Sequence, residues 1–205
     1  MHTDGGQKRA RYCVLAISPP MAARISYTPA LPAERYAFLR RTSMGAYTKA
    51  VAVYERPWWR ERGLNGIALA TEGPVQMIVD GAADSGRGIL VGFITGAAAR
   101  EVSALDSETR RATALAAFAR LLGPAAAEPI DYLDFAWAEQ AWSLGAPVAH
   151  PQPDTLSHHR ELPLAPVGRL HWAGTDLARV NNAYMDGAVE SGERAAAEIV
   201  TRDRS

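Results

Sequence analysis

Residues 169–200 have the sequence RLHWAGTDLARVNNAYMDGAVESGERAAAEIV. Arg169–Ala173 favours a strand, Gly174-Thr175-Asp176 breaks it, and Tyr184–Val200 favours a helix. Near the other end of the chain, the continuous apolar run Tyr12–Ile17 is typical of a strand buried on both faces. We therefore predict that the two ends of the chain together form an α/β layer.

The predicted C-terminal helix has Asn181 or Asn182 as a candidate cap and carries small residues at spacings of three and four. Internal glycines weaken a helix by up to about 1 kcal/mol each relative to alanine, so something must approach the backbone closely. A neighbouring helix or strand is the simpler explanation, and a flat ligand across the helix N-terminus is the alternative. The small residues are Gly187, Ala188, Ser191, Gly192 and Ala195.

Gly174-Thr175-Asp176 has two readings as well. An ordinary tight turn would explain it, but a glycine at the end of a strand also lets a ligand reach the backbone. Thr175 and Asp176 would then offer a hydroxyl group and a carboxylate to a sugar or polyol.

The middle of the chain predicts an antiparallel or mixed sheet, because short strands follow one another with turn residues between them. These strands are Thr48–Tyr54, Ile67–Ala70, Val75–Asp80, Ile89–Thr95 and Ile130–Trp137. Ser107 is predicted to cap a helix that Gly123-Pro124 ends. Towards the N-terminus we predict a short strand over Arg24–Tyr27 and a short helix from Pro32 through Leu39.

Composition excludes several classes of function. Among 205 residues, 22 basic and 22 acidic side chains leave no net charge, which argues against a nucleic-acid or anionic membrane partner. Cys13 is the only cysteine, and the five histidines lack metal-ligand spacing, so we predict no metal site. The polar N-terminus is unlike a secretory signal and no apolar run is long enough to span a membrane, so we expect a cytoplasmic protein.

The C-terminal motifs resemble the signature of flavin-containing monoamine oxidases, which is roughly A-G-T-E, a short loop, and then G-Y-M-x-G-A-V-x-[AS]-G-x-R-A-A. The matching residues are Ala173–Asp176 and Tyr184–Ala196. Other landmarks occur in the same order, among them Ser18-Pro19-Pro20, Met44-Gly45 with Lys49, and Pro57-Trp58-Trp59-Arg60. The resemblance covers almost the whole chain but only the C-terminal half of the family's length. The family's G-x-G-x-x-G loop belongs to the other half and has no counterpart here.

The resemblance implies an α/β fold with mixed α+β character, the C-terminal part of a two-domain flavin amine oxidase. Residues 1–20 and 165–205 would be pieces of an FAD-binding domain that lacks its N-terminal βαβ unit. Residues 21–164 would form a mixed-sheet, substrate-binding domain. The implied activity is oxidation of a C–N bond in a small amine by hydride transfer to FAD, with O2 reoxidising the flavin to give hydrogen peroxide.

The resemblance also implies roles for individual residues. Gly174, Thr175 and Asp176 would contact the ribityl–diphosphate part of FAD. The backbone N–H of Met185 would face the pyrimidine edge of the flavin, with Ala188 one turn further on. Tyr184 would form one wall of the aromatic slot for the amine. The remaining candidate catalytic residues are Arg24 and Trp137.

The departures from the family pattern shape these expectations. Ala146 stands where some members bind flavin covalently, so FAD would be held non-covalently, and Pro147 replaces the usual second aromatic wall. Arg24 is taken to stand where many members have a lysine near flavin N5, and arginine cannot lose its proton as lysine can. We expect an incomplete or split enzyme that needs an N-terminal half from a partner chain. The alternative is a non-catalytic remnant or binding module that folds without flavin.

Overall fold

The computed structural model describes residues 2–3, 5–82, 86–157 and 162–204, with side chains from residue 5 onward. His158 and His159 lie outside the described residues. In chain order the strands and α-helices are β1 (His2–Thr3), β2 (Gly6–Gln7), β3 (Cys13–Leu15), α1 (Pro19–Ala22), α2 (Ala33–Arg40), β4 (Thr42–Met44), β5 (Tyr47–Tyr54), α3 (Trp58–Glu61), β6 (Ala68–Leu69), β7 (Met77–Asp80), β8 (Gly88–Thr95), α4 (Gly96–Ser103), α5 (Ser107–Leu122), β9 (Asp131–Ala136), β10 (Ala149–Pro151), β11 (Leu170–Trp172) and α6 (Met185–Asp203).

The chain divides into two compact units. The first unit comprises Met1–Met44 and Pro147–Ser205, and the second comprises Gly45–Ala146. The first unit is therefore discontinuous, but it is larger than the predicted pieces 1–20 and 165–205. It includes α2 because the buried side chains of Phe38 and Leu39 share a core with Trp172 and Leu177. The assignment of these units to an FAD domain and a substrate domain stays a prediction.

Both ends of the chain meet in the first unit, as the sequence predicts. Strands β3 and β11 pair in parallel, with Cys13 opposite Leu170, and the Ala173 N–H donates to the Leu15 carbonyl at 2.9 Å. The prediction of a strand buried on both faces over Tyr12–Ile17 is wrong. The strand covers only Cys13–Leu15, and Val14 is 41% exposed. An apolar run shows that a strand can be covered, but it does not say what covers it.

The predicted strand over Arg24–Tyr27 is also wrong. Pro19 and Pro20 start the short helix α1 just before this segment, because proline is favoured in the first turn of a helix. Turn hydrogen bonds then follow, in which the Arg24 N–H donates to Met21 and the Ile25 N–H donates to Ala22. The helix predicted from Pro32 to Leu39 is confirmed as α2.

The second unit is built on a five-stranded antiparallel sheet of order β6-β7-β8-β5-β9. All five strands correspond to predicted ones. Helices α4 and α5 accompany the sheet, and their side chains join its inner residues in one core that includes Ala50, Leu90, Ile94 and Phe118. At Gly92 of β8 a Cβ atom would come within 2.6 Å of Cζ of the Phe118 ring, so the strand and α5 touch directly at this glycine.

Helix α5 begins and ends where its capping chemistry requires. Asp106, rather than the predicted Ser107, is the N-cap, and its carboxylate accepts the Thr109 N–H at 2.9 Å. Gly123 ends the helix as predicted, with a φ of 105° that favours glycine. Within the described part of the chain, no helix has the length and apolar character needed to cross a membrane.

Candidate functional site

The candidate site begins where β11 ends. Gly174 has a φ of 110°, and its N–H donates to the Ser191 hydroxyl group of α6 at 2.9 Å. Ser191 is fully buried and donates in turn to the Ala188 carbonyl at 2.9 Å. The glycine loop is therefore fastened to the second turn of α6, which explains why Ser191 is on the small-residue face.

The loop between Gly174 and α6 is closed by its own polar groups. The Thr175 hydroxyl donates to the Tyr184 carbonyl at 2.8 Å, and the Asn182 side chain donates to the Thr175 carbonyl at 2.9 Å. The Tyr184 N–H donates to the Asn181 carbonyl at 3.1 Å. Neither asparagine caps α6, so that prediction is wrong: Tyr184 is the N-cap and makes no side-chain cap bond. The Asn182 amide holds the loop instead, and the Asn181 amide donates to the Asp186 carboxylate in the first turn of α6.

The two glycines of α6, Gly187 and Gly192, have different surroundings. A Cβ atom at Gly187 would collide with the Asn181 carbonyl and lie 2.9 Å from Cβ of Ala178, whereas Gly192 has nothing within 4 Å. Close packing of the protein's own backbone is therefore the explanation at Gly187, but the element that packs there is the preceding loop and not the helix or strand that the simpler explanation predicted. The space beside Gly192 is open among the described residues.

The N-terminus of α6 is the part of the site that can receive a ligand. Met185, its first residue, is 88% exposed and Tyr184 is 70% exposed. The first N–H groups of a helix have no partner within the helix, and the helix dipole favours an electron-rich or anionic group there. Ala188, one turn on, donates back to Tyr184 at 3.2 Å.

Asp176 faces the protein rather than solvent. Its carboxylate accepts the Ala149 N–H of β10 at 2.5 Å. Burial raises the pKa of the Asp176 carboxyl group above its ordinary value of 3.8, although the Ala149 N–H and His150 favour the charged form. The contact predicted between Asp176 and a ribityl–diphosphate group stays a prediction.

Asp176→Asn is expected to raise stability at neutral pH. The folded state binds the Asp176 proton more tightly than the unfolded state, so wild-type stability falls as pH rises from about 3.8 through the raised pKa. Asparagine does not titrate and still accepts from Ala149. Urea unfolding should show a gain of a few tenths of a kcal/mol at pH 7 that vanishes near pH 3.5, because the site is partly solvated. A variant less stable than wild type at pH 7 would contradict this, and Asp131→Asn on β9 serves as the exposed control.

The sequence of the whole chain now identifies its family. A profile of the family "Flavin containing amine oxidoreductase" matches residues 1–200. The chain belongs to this family. The site just described lies in the family's matching C-terminal region, and the family implies a flavin cofactor.

Three relatives show how far the likeness extends. The chain is 38% identical over 199 residues to a "Probable flavin-containing monoamine oxidase A" of Dictyostelium discoideum, covering 96% of this chain and 44% of that protein. It is 34% identical over 193 residues to a putrescine oxidase of Kocuria rosea, covering 94% and 40%. The solved cyclohexylamine oxidase from Brevibacterium oxydans IH-35A matches with a TM-score of 0.92 and 34% identity, covering 98% and 45%. The α/β amine oxidase fold is confirmed, and the chain spans less than half the length of each of these relatives.

The predicted site residues fall into three groups in this family member. Gly174, Thr175, Tyr184 and Ala188 belong to one hydrogen-bonded assembly at the start of α6. Met185 is the first residue of that helix, whereas the Asp176 carboxylate bonds Ala149 of β10. Trp137 belongs to the second unit, where its ring packs against Phe135 with centroids 4.6 Å apart. Arg24 lies in the exposed turn after α1. The roles predicted for all of these residues stay predictions.

Sequence reasoning did not select Lys49 as a site residue. It lies on β5 opposite Phe93 on one side and Phe135 on the other, and its ammonium group is 5.7 Å from the Phe93 ring centroid. The neighbouring positions of the same sheet face are apolar: Val51, Met77, Val91 and Leu133. The sequence did carry a signal for Lys49, because it is a charged residue in a predicted strand that continues with alternating alanine and valine.

Proposed function

We propose that this chain forms the C-terminal part of an FAD-dependent amine oxidase. The observation that carries the proposal is the exposed N-terminus of α6, held by the Thr175–Tyr184 hydrogen bond and by the contact of Gly187 with the loop. This arrangement supports a seat for a flat, electron-rich ring with Met185 beneath its edge. Family membership supplies the chemical class of that ring.

The residues present fit a non-covalently held FAD. The N–H of Met185 would face the pyrimidine edge of the flavin, and Tyr184 would stand beside the path of the amine. Ala146 offers no thiol for a covalent bond. Bound FAD would supply the acceptor for the hydride that leaves the amine carbon, and O2 would take up the two electrons to give hydrogen peroxide. The imine product would be hydrolysed by water.

The free sheet face of the second unit supports an amine with an apolar body as the substrate. Leu133 is 53% exposed and Phe135 is 41% exposed on this face, and Lys49 is the cation between the aromatic rings. A substrate with an apolar body would lose little on desolvation against such a face. We therefore propose an amine with an apolar alkyl or aryl body as the substrate class.

We propose that a partner chain supplies the N-terminal half and covers the exposed apolar surface of the first unit. Parallel sheets are ordinarily buried on both faces, yet Val14 of β3 is 41% exposed. Helix α6 presents an apolar stripe at spacings of three and four, formed by Met185, Val189, Gly192, Ala196 and Val200. A polypeptide that pairs with β3 and packs on this stripe would remove both from water.

The test is the visible spectrum of the purified chain with added FAD, alone and after co-expression with the N-terminal half of a relative. We expect flavin bands to co-elute with the two-chain complex and to bleach on anaerobic addition of cyclohexylamine faster than on addition of putrescine. A colourless complex would refute the proposed function. A stable, colourless chain that melts cooperatively and binds no hydrophobic dye would favour the non-catalytic module instead.

A matched pair of variants locates the surface that the partner covers. Val14→Lys places a charge on β3 and should abolish assembly with the N-terminal half, because a buried unpaired charge is costly. Leu64→Lys changes an equally exposed side chain, 42% against 41%, in the second unit. If both variants assemble as wild type does, β3 is not at the interface. The predicted cytoplasmic location remains part of the proposal, to be checked by fractionation.

A further inference from the structure

A charged side chain is buried in the core of the first unit. Arg35 of α2 is 1% exposed, and its guanidinium carbon is 4.6 Å from the centroid of the Trp172 ring. Its Nη1 donates to the Pro163 carbonyl at 2.7 Å, and its Nη2 donates to the Ala165 carbonyl. Among the described residues it forms no ion pair with a carboxylate. Burial lowers the pKa of the guanidinium group to about 10.

The burial of Arg35 is costly in free energy. A buried charge loses its hydration, and carbonyl groups and an aromatic face replace only part of it. The Nε atom of Arg35 is also buried without a hydrogen-bond partner among the described residues. An apolar side chain of similar volume would usually cost the core less. The contacts of Arg35 therefore indicate what it holds in place.

Those contacts lead to the start of the candidate site. The carbonyls that Arg35 binds lie on the segment that enters β11, and Trp172 is the last residue of that strand. The Trp172 carbonyl accepts from Nη2 of Arg194 on α6 at 2.8 Å. Gly174, which donates to Ser191 of α6, follows two residues later. The position of Trp172 thus sets where the loop stands relative to α6.

We propose that Arg35 is a positioning residue for the flavin seat, acting through Trp172 to hold the Gly174–Asp176 loop against α6. The guanidinium plane stacks on the indole ring while its two ends bind carbonyls, a geometry that lysine cannot reproduce. This proposal rests on the proposed function for its consequence in FAD binding. The control of the loop by Arg35 does not depend on the proposed function.

The test compares Arg35→Met and Arg35→Lys with Leu39→Ala, a cavity-forming change in the same core. Hydrogen exchange of residues 173–184 and FAD affinity are measured on the chain with its N-terminal half, at a temperature where every variant stays folded. In Arg35→Met we expect about 10- to 100-fold faster exchange in this loop and a similar loss of FAD affinity, as for a lost charge-assisted contact. Arg35→Lys should recover only part of the loop protection and of the FAD affinity, because lysine cannot bind both carbonyls while it stacks on the indole ring.

Each outcome decides the matter. Faster loop exchange in Arg35→Met, absent in an equally destabilised Leu39→Ala, supports the positioning role. Equal effects in both variants, or unchanged loop exchange in Arg35→Met, would overturn it and leave Arg35 as an ordinary core residue. If the wild-type complex binds no FAD, the proposed function fails, while the exchange measurement still decides the role of Arg35.

Discussion

Gly187→Ala is expected to abolish retention of FAD and to lower the stability of the first unit. The added Cβ atom would collide with the Asn181 carbonyl, which itself accepts the Tyr184 N–H, and would press on Ala178. Because the obstacle is backbone, the loop that carries Tyr184 must move away from α6. Overpacking of this kind costs about 1–3 kcal/mol, more than the gain in helix propensity of about 1 kcal/mol.

Gly192→Ala on the same helix is the matched control. In the isolated chain no described atom lies within 4 Å of the new methyl group, so only the helix propensity changes there. We expect the isolated chain to melt at a higher temperature, with a gain of up to about 1 kcal/mol. Flavin co-elution and thermal melts of both variants provide the measurement. If Gly187→Ala retains FAD as well as the wild-type chain does, the loop and the start of α6 do not form the flavin site.

Gly92→Ala is expected to have the largest effect on the second unit. The Cβ atom would enter the ring of Phe118, whose side chain is fully buried between α5 and the sheet. Neither the central strand β8 nor the ring has free space to retreat into, so we expect a loss of about 2–4 kcal/mol. Hydrogen exchange resolved by peptide should show the loss within residues 45–146.

A second-site change tests the cause. Phe118→Leu shortens the ring and should destabilise the unit by itself, but in combination with Gly92→Ala it should restore part of the loss. A favourable coupling of about 1 kcal/mol or more in this double-mutant cycle would identify the collision. Additive losses would mean that Gly92→Ala acts through the strand backbone instead.

The regular parts of the fold were predictable because local patterns determine them. The alternation over Thr48–Tyr54 and Ile89–Thr95 gave β5 and β8 to within one residue, and the Gly123-Pro124 stop gave the end of α5. The failures occurred where a distant element decides the outcome. Tyr12–Ile17 is apolar throughout, yet its burial depends on layers that its own sequence does not specify.

The candidate site was predictable in part for the same reason. The motif that contains Thr175 and Tyr184 brought these residues together because they are close in sequence and share one loop. The asparagine caps were misassigned because a side-chain amide has several possible partners: Asn182 bonds a loop carbonyl, and Asn181 bonds the Asp186 carboxylate rather than a backbone N–H of α6. Arg35 could not be found at all, since its partners lie at Pro163, Ala165 and Trp172, far along the chain.

The parallel pairing of β3 with β11 has a consequence for how the chain matures during synthesis. Cys13 must find Leu170, so most of the chain is made before the first unit can close, whereas the strands of the second unit find neighbours nearby in sequence. The second unit can therefore fold on the ribosome while the first still lacks a strand and α6. During that interval the apolar side chains of Leu15, Phe38 and Leu39 have no core to enter. Chaperone demand and inclusion-body formation in this protein should therefore follow the rate at which residues 165–203 emerge.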